Sequence, residues 1–494
     1  MNIGSIIKEQ LYDKRMNSAM GAILLALSSI GLAWAIAFFN LPFAFIVPSL
    51  ILAASLLFFI LLEPELGFYF AVIFAFLHSY VLFILLRAYA IKPGFLIDSS
   101  IWLTAFSLLL NKARHKTGGW LYFGSPTSIA NFFYFIFFVL EIANPDKPAV
   151  MGWVMDFRRE LSIMLLFYVS LEIFTDMGFF RRFMRFWLII ATASAFYGCI
   201  QQFVGFLPAE KAFIFMSQEI FLLIYVDGHF RKFSIFPDPT AFGIFMGLSA
   251  VFFLSLLSGP FSSRKKITYF LCSVVMIMGM LFSGTRTAYA MIPLGFLIFC
   301  VMTLNRRESV YVIVSGALTL AFILFVPLHN PTLDRVRTLF MGSEDPSMNI
   351  RNVHRKQIQP FIHGHPIGAG IATVGVKGKI YNPGGPIAGF PPDSELLSRA
   401  LEIGYVGLLV FMLKFFLPMI AGVQGYFKAR DPEIKSYLIG LVAMFFSVVM
   451  SLYSQEISLY TSMFLAILSA LIIKLIWFDR GQETAVPAQP LRKR

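Results

Sequence analysis

The chain is predicted to be an all-α polytopic membrane protein with about twelve to fourteen transmembrane helices. One large extracytoplasmic loop and two cytoplasmic termini complete that expectation. Three observations lead there. Mean hydropathy is +0.76, and 58% of the 494 residues are hydrophobic against 14% charged, outside the range of soluble globular chains. Apolar runs of about 17 to 22 residues recur along the whole length, each long enough to cross a hydrocarbon core as a helix. The runs are continuous rather than alternating, which selects helices over a closed barrel, the other structure that satisfies its backbone in lipid.

Candidate spans fall near 18–39, 43–62, 67–87, 99–112, 127–143, 160–176, 184–206, 240–258, 267–283, 286–304, 309–328, 403–422, 436–453 and 457–477. No small-residue cleavage motif follows the first apolar run, so it reads as a retained span. The segment 211–226, KAFIFMSQEIFLLIYV, carries Lys211 and Glu219 and reads as an interfacial or re-entrant helix that does not cross. DKRMNS near the start, NKARHK (111–116), RRFMR (181–185), SSRKK (262–266), NRR (305–307), KAR (428–430) and the LRKR tail fall on one side when the spans alternate. That side is expected to be cytoplasmic. The same rule accounts for the net charge of +13, so nucleic acid is not an expected partner. Cys199, Cys272 and Cys300 all lie in apolar runs and read as small core residues, not as a disulfide or metal set.

A single domain, 1–494, is expected, with a disordered cytoplasmic tail at 479–494. Its longest outward connection, 329–402, is rich in Gly and Pro and holds four of the seven histidines. Ile, Val, Phe and Tyr are interspersed with the glycines, so an ordered cap is expected in place of a simple linker, with short helices at about 331–341 and 349–363.

Three outward motifs carry the chemistry. In SGTRTA (283–288), Arg286 lies at the outer end of a span and at a helix N-terminus, where neither the positive-inside rule nor the helix dipole favours a cation. Ser283 or Thr285 can cap that helix, and backbone N–H groups beside a guanidinium form a binding place for phosphate. The alternative is an arginine snorkelling to lipid head groups. In GHFRKFSIFPDPTAFGIFMG (228–247), Arg231 and Lys232 precede Asp238, an expected N-cap, and Pro239, an expected N1 residue. In PPDSELLSRALEIG (391–404), the long loop returns to the membrane with Asp393, Ser394 and Glu395. Asp393 reads as an N-cap helped by Ser394, and Glu402, three residues after Arg399, as its ion-pair partner. Intramembrane ionisable residues are functional candidates as well.

Four stretches, SGTRTA, the R…S-x-F-x-D-P-T-x-F segment, HPIGAGIATVG and D-S-E-x-L-x-x-x-x-E-x-G-x-x-G, resemble the bacterial O-antigen ligase and polymerase superfamily of membrane glycosyltransferases. Their order, the many spans and the large late loop match too, over about residues 180–475. The resemblance implies a metal-independent, cofactor-free transfer on the outer face of the cytoplasmic (inner) membrane. A glycan on polyprenyl diphosphate moves to an acceptor sugar hydroxyl, and the arginines matching Arg231 and Arg286 hold the diphosphate. Ligases of the superfamily typically carry a histidine where the loop returns to the membrane; this chain has Asp393–Ser394 there.

The expected mechanism is an inverting single displacement. Arg231 and Arg286 clamp the diphosphate with Lys232 in support, and Asp393 is the general base, with Glu395, His363 or His365 as alternatives. Arg351 and Arg355, four residues apart on a short helix, are candidates for holding donor or acceptor phosphate, or else form a solvated basic face. His363 and His365 lack the further ligand spacing a metal site needs. The departure at Asp393 favours polymerisation of lipid-linked oligosaccharide repeats, as in lipopolysaccharide synthesis, over ligation to a lipid core sugar or glycosylation of protein. A flippase of lipid-linked sugar is the non-enzyme alternative. Transporters usually show repeated halves and midplane polar groups, whereas the charges here sit at outer helix ends.

Overall fold

The computed structural model describes residues 58–85, 94–115, 124–146, 150–226, 228–304 and 346–481. These fall into two compact units, one from residues up to 73 with 96–117, the other from 74–95 with the remainder from 118. Elements are numbered over the described residues. In the first unit, the beginning of α1 (Pro64–Ser79) packs on α2 (Gly94–His115) through Gly67, where a Cβ would overlap the Thr104 side chain. Ser107 Oγ donates to the Leu61 carbonyl at 2.9 Å. Helix α1 runs on into a π-helical turn, Tyr80–Leu85.

The second unit holds the long helices that position the site: α3 (Pro126–Leu140), α4 (Val150–Ile173), α5 (Met177–Phe203), α8 (Pro239–Ser255), α9 (Ser263–Phe282), α10 (Arg286–Thr303), α13 (Glu395–Lys428), α14 (Pro432–Ser451) and α15 (Leu459–Asp479). Between them lie the short helices α6 (Pro208–Ile214), α7 (Gln218–Ile224), α11 (Pro346–Gly364) and α12 (Gly375–Tyr381). A hairpin of β1 (Tyr225–Val226) and β2 (His229–Phe230) pairs Tyr225 with Phe230.

Among the described residues, nine helices are long and apolar enough to cross a membrane: α2, α3, α5, α8, α9, α10, α13, α14 and α15. The expected spans 18–39 and 309–328, and nearly all of 43–62, lie outside the described residues, as does the expected short helix at 331–341. Helix α4 starts at Val150, ten residues before the expected 160–176 span, because Asp156, Arg158, Arg159 and Glu160 are accommodated within the helix. The segment 211–226 is not one helix. It breaks into α6 and α7, seven residues each, and at 1.5 Å per residue each covers about 10 Å, too short to cross. The expected 349–363 helix is present as α11, whereas α12 was not anticipated.

Helix α8 is apolar on every side and lies at the centre, against α9, α10 and α14. Asp238 caps it, Oδ1 accepting from the N–H groups of Thr240 and Ala241 at 2.8 and 2.9 Å, with Pro239 at N1 as anticipated. Aromatic packing fills the space around it. Trp187 stacks on Phe252 with centroids 4.5 Å apart and donates from Nε1 to Ser249 Oγ at 2.9 Å. Phe245 and Phe464 close the cluster from α8 and α15.

Basic turns gather at one end of this unit. Arg181 forms a bidentate pair with Glu433 at 2.8 and 2.9 Å, Phe261 meets Tyr437, and the N–H groups of Arg430 and Asp431 donate to Asp479. The turns at 181–185, 262–266 and 428–430 therefore share that end. The three outward motifs meet at the other.

Candidate functional site: an arginine corner under the long loop

The loop 228–238 is laid against the corner 283–285 between α9 and α10. Lys232 N donates to the Phe282 carbonyl at 3.0 Å, and the Arg231 guanidinium completes the join. Arg231 Nε donates to the Ser283 carbonyl at 2.9 Å, Nη2 to Thr285 Oγ1 at 2.9 Å and Thr240 Oγ1 at 3.4 Å, and Nη1 to the Leu223 carbonyl at 3.2 Å. A guanidinium has five N–H groups, so most of this fork faces protein. The structure thus gives Arg231 a bracing duty that the clamp expectation did not include. Close approach needs Gly243, whose Cβ would overlap Ser283 Oγ. Gly243→Val is expected to push α8 off the corner and to lower stability by about 1–3 kcal/mol, measured by thermal unfolding in detergent.

Arg286 is the first residue of α10, and the N-cap residue Thr285 makes no side-chain cap bond to this helix. Ser283 and Thr285, the expected caps, are otherwise engaged. Ser283 Oγ donates to the Met280 carbonyl, and Thr285 Oγ1 donates to the Pro239 carbonyl and accepts from Arg231. Ser283 Oγ also accepts from Thr285 N at 3.2 Å, and Arg286, at the helix start, is partly exposed.

The turn between α14 and α15, residues 452–458, connects this corner to the long loop. Thr287 Oγ1 hydrogen-bonds Ser454 Oγ at 3.2 Å. From α11, Arg351 Nη1 donates to the Ser454 carbonyl at 2.9 Å. Arg355 donates to the Tyr453 hydroxyl and carbonyl at 2.6 and 2.7 Å, with its guanidinium 4.0 Å from the Tyr453 ring centroid. The start of α13 docks on the same turn, Ser394 Oγ donating to the Leu452 carbonyl at 3.0 Å and Glu395 N to that of Gln455 at 3.2 Å. Arg286, Arg351, Arg355 and Asp393 are thereby brought around one turn that no sequence motif marked.

Asp393 is not the N-cap. That position belongs to Ser394, whose hydroxyl accepts from Leu397 N, and Asp393 stands one residue earlier with φ of 55°. Its carboxylate faces α11, where His354 Nδ1 lies 3.2 Å from Oδ2. The left-handed backbone, unusual for a residue with a Cβ but commoner for Asp, sends the carboxylate away from the helix it was expected to cap.

Other expected binding residues are placed elsewhere. Lys232 is 8% exposed, with Nζ 4.6 Å from the Phe206 ring centroid, and burial pushes its ammonium below its ordinary value. As it stands it faces an aromatic ring rather than a ligand. Glu395 is buried too, Oε1 accepting from Arg399 Nε at 2.8 Å and Oε2 from Ile457 N at 3.0 Å, so both oxygens are engaged by protein. Arg351 and Arg355 do share one face of α11, but that face grips Tyr453 and Ser454 and is not simply a solvated basic surface. The histidines of IHGHP diverge. His363 Nδ1 pairs with the Tyr405 hydroxyl at 2.8 Å, while His365 stacks on Phe361 and bonds its carbonyl.

Sequence reasoning also missed the support behind the Arg231 loop. Gln201 Oε1 accepts from Ser234 N at 2.8 Å, and its Nε2 donates to the buried Glu210 at 2.7 Å. That grip holds Ser234 at φ of 52°. The stretch PIGAG docks where α13 breaks at Gly404 (φ 64°, ψ −167°). There Ala369 N and Gly370 N donate to the carbonyls of Leu401 and Glu402 at 2.8 and 2.9 Å.

A bundle of apolar helices with an arginine corner at one end and basic turns at the other defines a multi-pass membrane protein. Residues 271–412 match the family model described as O-antigen ligase, which supports assigning the chain to the O-antigen ligase and polymerase superfamily. The match supports an O-antigen-ligase-like glycosyltransferase role in polysaccharide synthesis, with lipid-linked glycans as the kind of partner. It covers Arg286, α11 and Asp393 and excludes the Arg231 loop. No curated protein matches the chain.

Proposed function

We propose that the protein polymerises oligosaccharide repeat units carried on polyprenyl diphosphate, at the extracytoplasmic face of the cytoplasmic membrane. The observation that carries this reading is the joining of the Arg231 loop to the Arg286 corner through Ser283 and Thr285. That join sets Arg286 at a helix start whose N-cap residue, Thr285, makes no side-chain cap bond. Anionic diphosphate suits both the guanidinium and the N–H groups there, and the charge that grows on the leaving group is met by fixed donors without a metal. Arg231 contributes mainly by fixing that corner. The basic turns at the opposite end support this reading, since the positive-inside rule favours the cytoplasm for that end and the outer face for the corner.

A break in a spanning helix is also found in transporters. Here the carbonyls released at Gly404 are taken by N–H groups of the long loop, so the break serves to seat that loop. Attack on the anomeric carbon by an acceptor hydroxyl from the face opposite the diphosphate inverts it. A second lipid-linked repeat unit as acceptor makes the enzyme a polymerase; a lipid core sugar makes it a ligase.

Arg286→Lys keeps the charge but loses the bidentate fork. We expect it to lower glycan transfer by about 10²–10³-fold and to weaken binding of a C55 polyprenyl diphosphate in nanodiscs. Transfer in membranes containing the host's own lipid-linked oligosaccharide, resolved on gels, is the measurement. Wild-type transfer by that variant sinks the clamp. Which acceptor is lengthened separates polymerase from ligase.

A further inference from the structure

The geometry points to His354, on α11, as the base that deprotonates the acceptor hydroxyl, with Asp393 as its positioning residue. The assignment depends on glycosyl transfer taking place at this site and names a group that the transfer itself leaves open.

His354 and Asp393 are 39 residues apart and belong to different segments, yet Nδ1 and Oδ2 are 3.2 Å from each other. Both side chains are partly open, 28% and 32% exposed, so the pair is reachable by a hydrophilic acceptor. The structure fixes each partner from behind. Arg351 and Arg355, three residues before and one after His354, tie α11 to the 453–454 turn. The Phe390 ring lies edge-on to the imidazole, centroids 5.8 Å apart. Asp393 is held by its left-handed backbone and by Ser394, which is bonded to Leu452 and caps α13.

A carboxylate at Nδ1 selects the tautomer in which Nδ1 carries the proton and Nε2 the lone pair. Among the described residues, Nε2 has no hydrogen-bond partner. This is the division of labour in which an aspartate orients an imidazole and stabilises the imidazolium without taking the proton.

The step balances as a displacement. The acceptor oxygen bonds to the anomeric carbon as its proton passes to His354 Nε2. The bond from that carbon to the phosphate oxygen breaks, and its electron pair leaves with polyprenyl diphosphate. The imidazolium, opposed by Asp393, returns its proton to solvent.

The test uses full-length protein in nanodiscs with lipid-linked oligosaccharide extracted from the host. His354→Gln should lower turnover by about 10²–10⁴-fold while binding of C55 polyprenyl diphosphate stays at the wild-type level. His354→Ala should regain turnover when imidazole is added, a result that a purely structural His354–Asp393 latch does not give. Asp393→Asn keeps a residue that tolerates positive φ. It should slow turnover, and combined with His354→Gln should cost no more than His354→Gln alone. Undiminished turnover by His354→Gln overturns the assignment, as does failure of imidazole to restore His354→Ala. An Asp393→Asn loss that persists undiminished on top of His354→Gln also overturns it and makes Asp393 the base. Failure of the glycosyltransferase reading is seen separately, in wild-type protein that transfers no glycan and in Arg286→Lys that binds polyprenyl diphosphate normally.

Discussion

Arg399→Ala is expected to destabilise the protein by about 3–5 kcal/mol, the cost of leaving buried charge unpaired. Arg399 is 8% exposed and faces three carboxylates: Glu395 at 2.8 Å, Glu402 at 3.5 Å and Glu160 at 3.8 Å. Lys414 adds a second cation, 3.6 Å from Glu160. Without Arg399, the buried Glu395 and Glu402 lose their ion-pair partner, while Glu160 keeps Lys414. The damage should spread, because each carboxylate also holds other chain. Glu395 takes Ile457 N from the turn beneath α11, and Glu402 takes Ala372 N at 3.0 Å from the long loop. Losing Arg399 therefore loosens the supports of both Asp393 and α11. Lysine should rescue little, since one ammonium cannot reproduce a fork directed at three partners. The control is the Arg181–Glu433 pair, bidentate but with Arg181 48% exposed, for which removal should cost under about 1 kcal/mol. Thermal unfolding in detergent, followed by size-exclusion chromatography, measures both; equal midpoints for the two variants contradict the argument.

The contrast between Asp238 and Asp393 shows what could be read from sequence. Asp238 is followed by Pro239 and an apolar run, and the local pattern alone specifies an N-cap, which the structure contains. Asp393 precedes Ser394, and either can cap in principle. The choice was made by the left-handed backbone at Asp393 and by the Leu452 carbonyl that receives Ser394, neither of which is encoded nearby. Periodicity likewise found α11 and the shared face of Arg351 and Arg355, but not that this face grips residues 453 and 454. Nothing local distinguishes His354 from the histidines of IHGHP; its partner is 39 positions away. The partners of Glu395 are equally hidden in the sequence. A carboxylate at a membrane boundary looks available until the arginine one turn on and the N–H of Ile457 are seen to occupy it. Spans follow from solvation of the backbone and are legible in one dimension. Site geometry depends on which turns meet, and only the folded chain states that.

Gly404→Ala is expected to separate the long loop from the bundle and, with it, to abolish transfer. Gly404 has φ of 64° and ψ of −167°, a region almost confined to glycine, so a Cβ there costs about 1–3 kcal/mol in backbone strain. The added atom would also overlap the Pro366 carbonyl oxygen, which accepts from Tyr405 N at 2.9 Å, adding about 1–3 kcal/mol of overpacking unless the loop moves away. Loop movement is the cheaper response for the spanning part of α13, and it breaks the bonds from Ala369 and Gly370 to Leu401 and Glu402. The same loop approaches closely through Gly368, where a Cβ would overlap the Glu402 carbonyl, so no small shift restores the fit. Loss of function should therefore exceed what the loss of stability explains. Hydrogen exchange should rise across 365–375 and in α11 while α8 and α14 stay protected. Unchanged exchange in the loop together with normal glycan transfer would mean that the seat at Gly404 is dispensable for holding the site together.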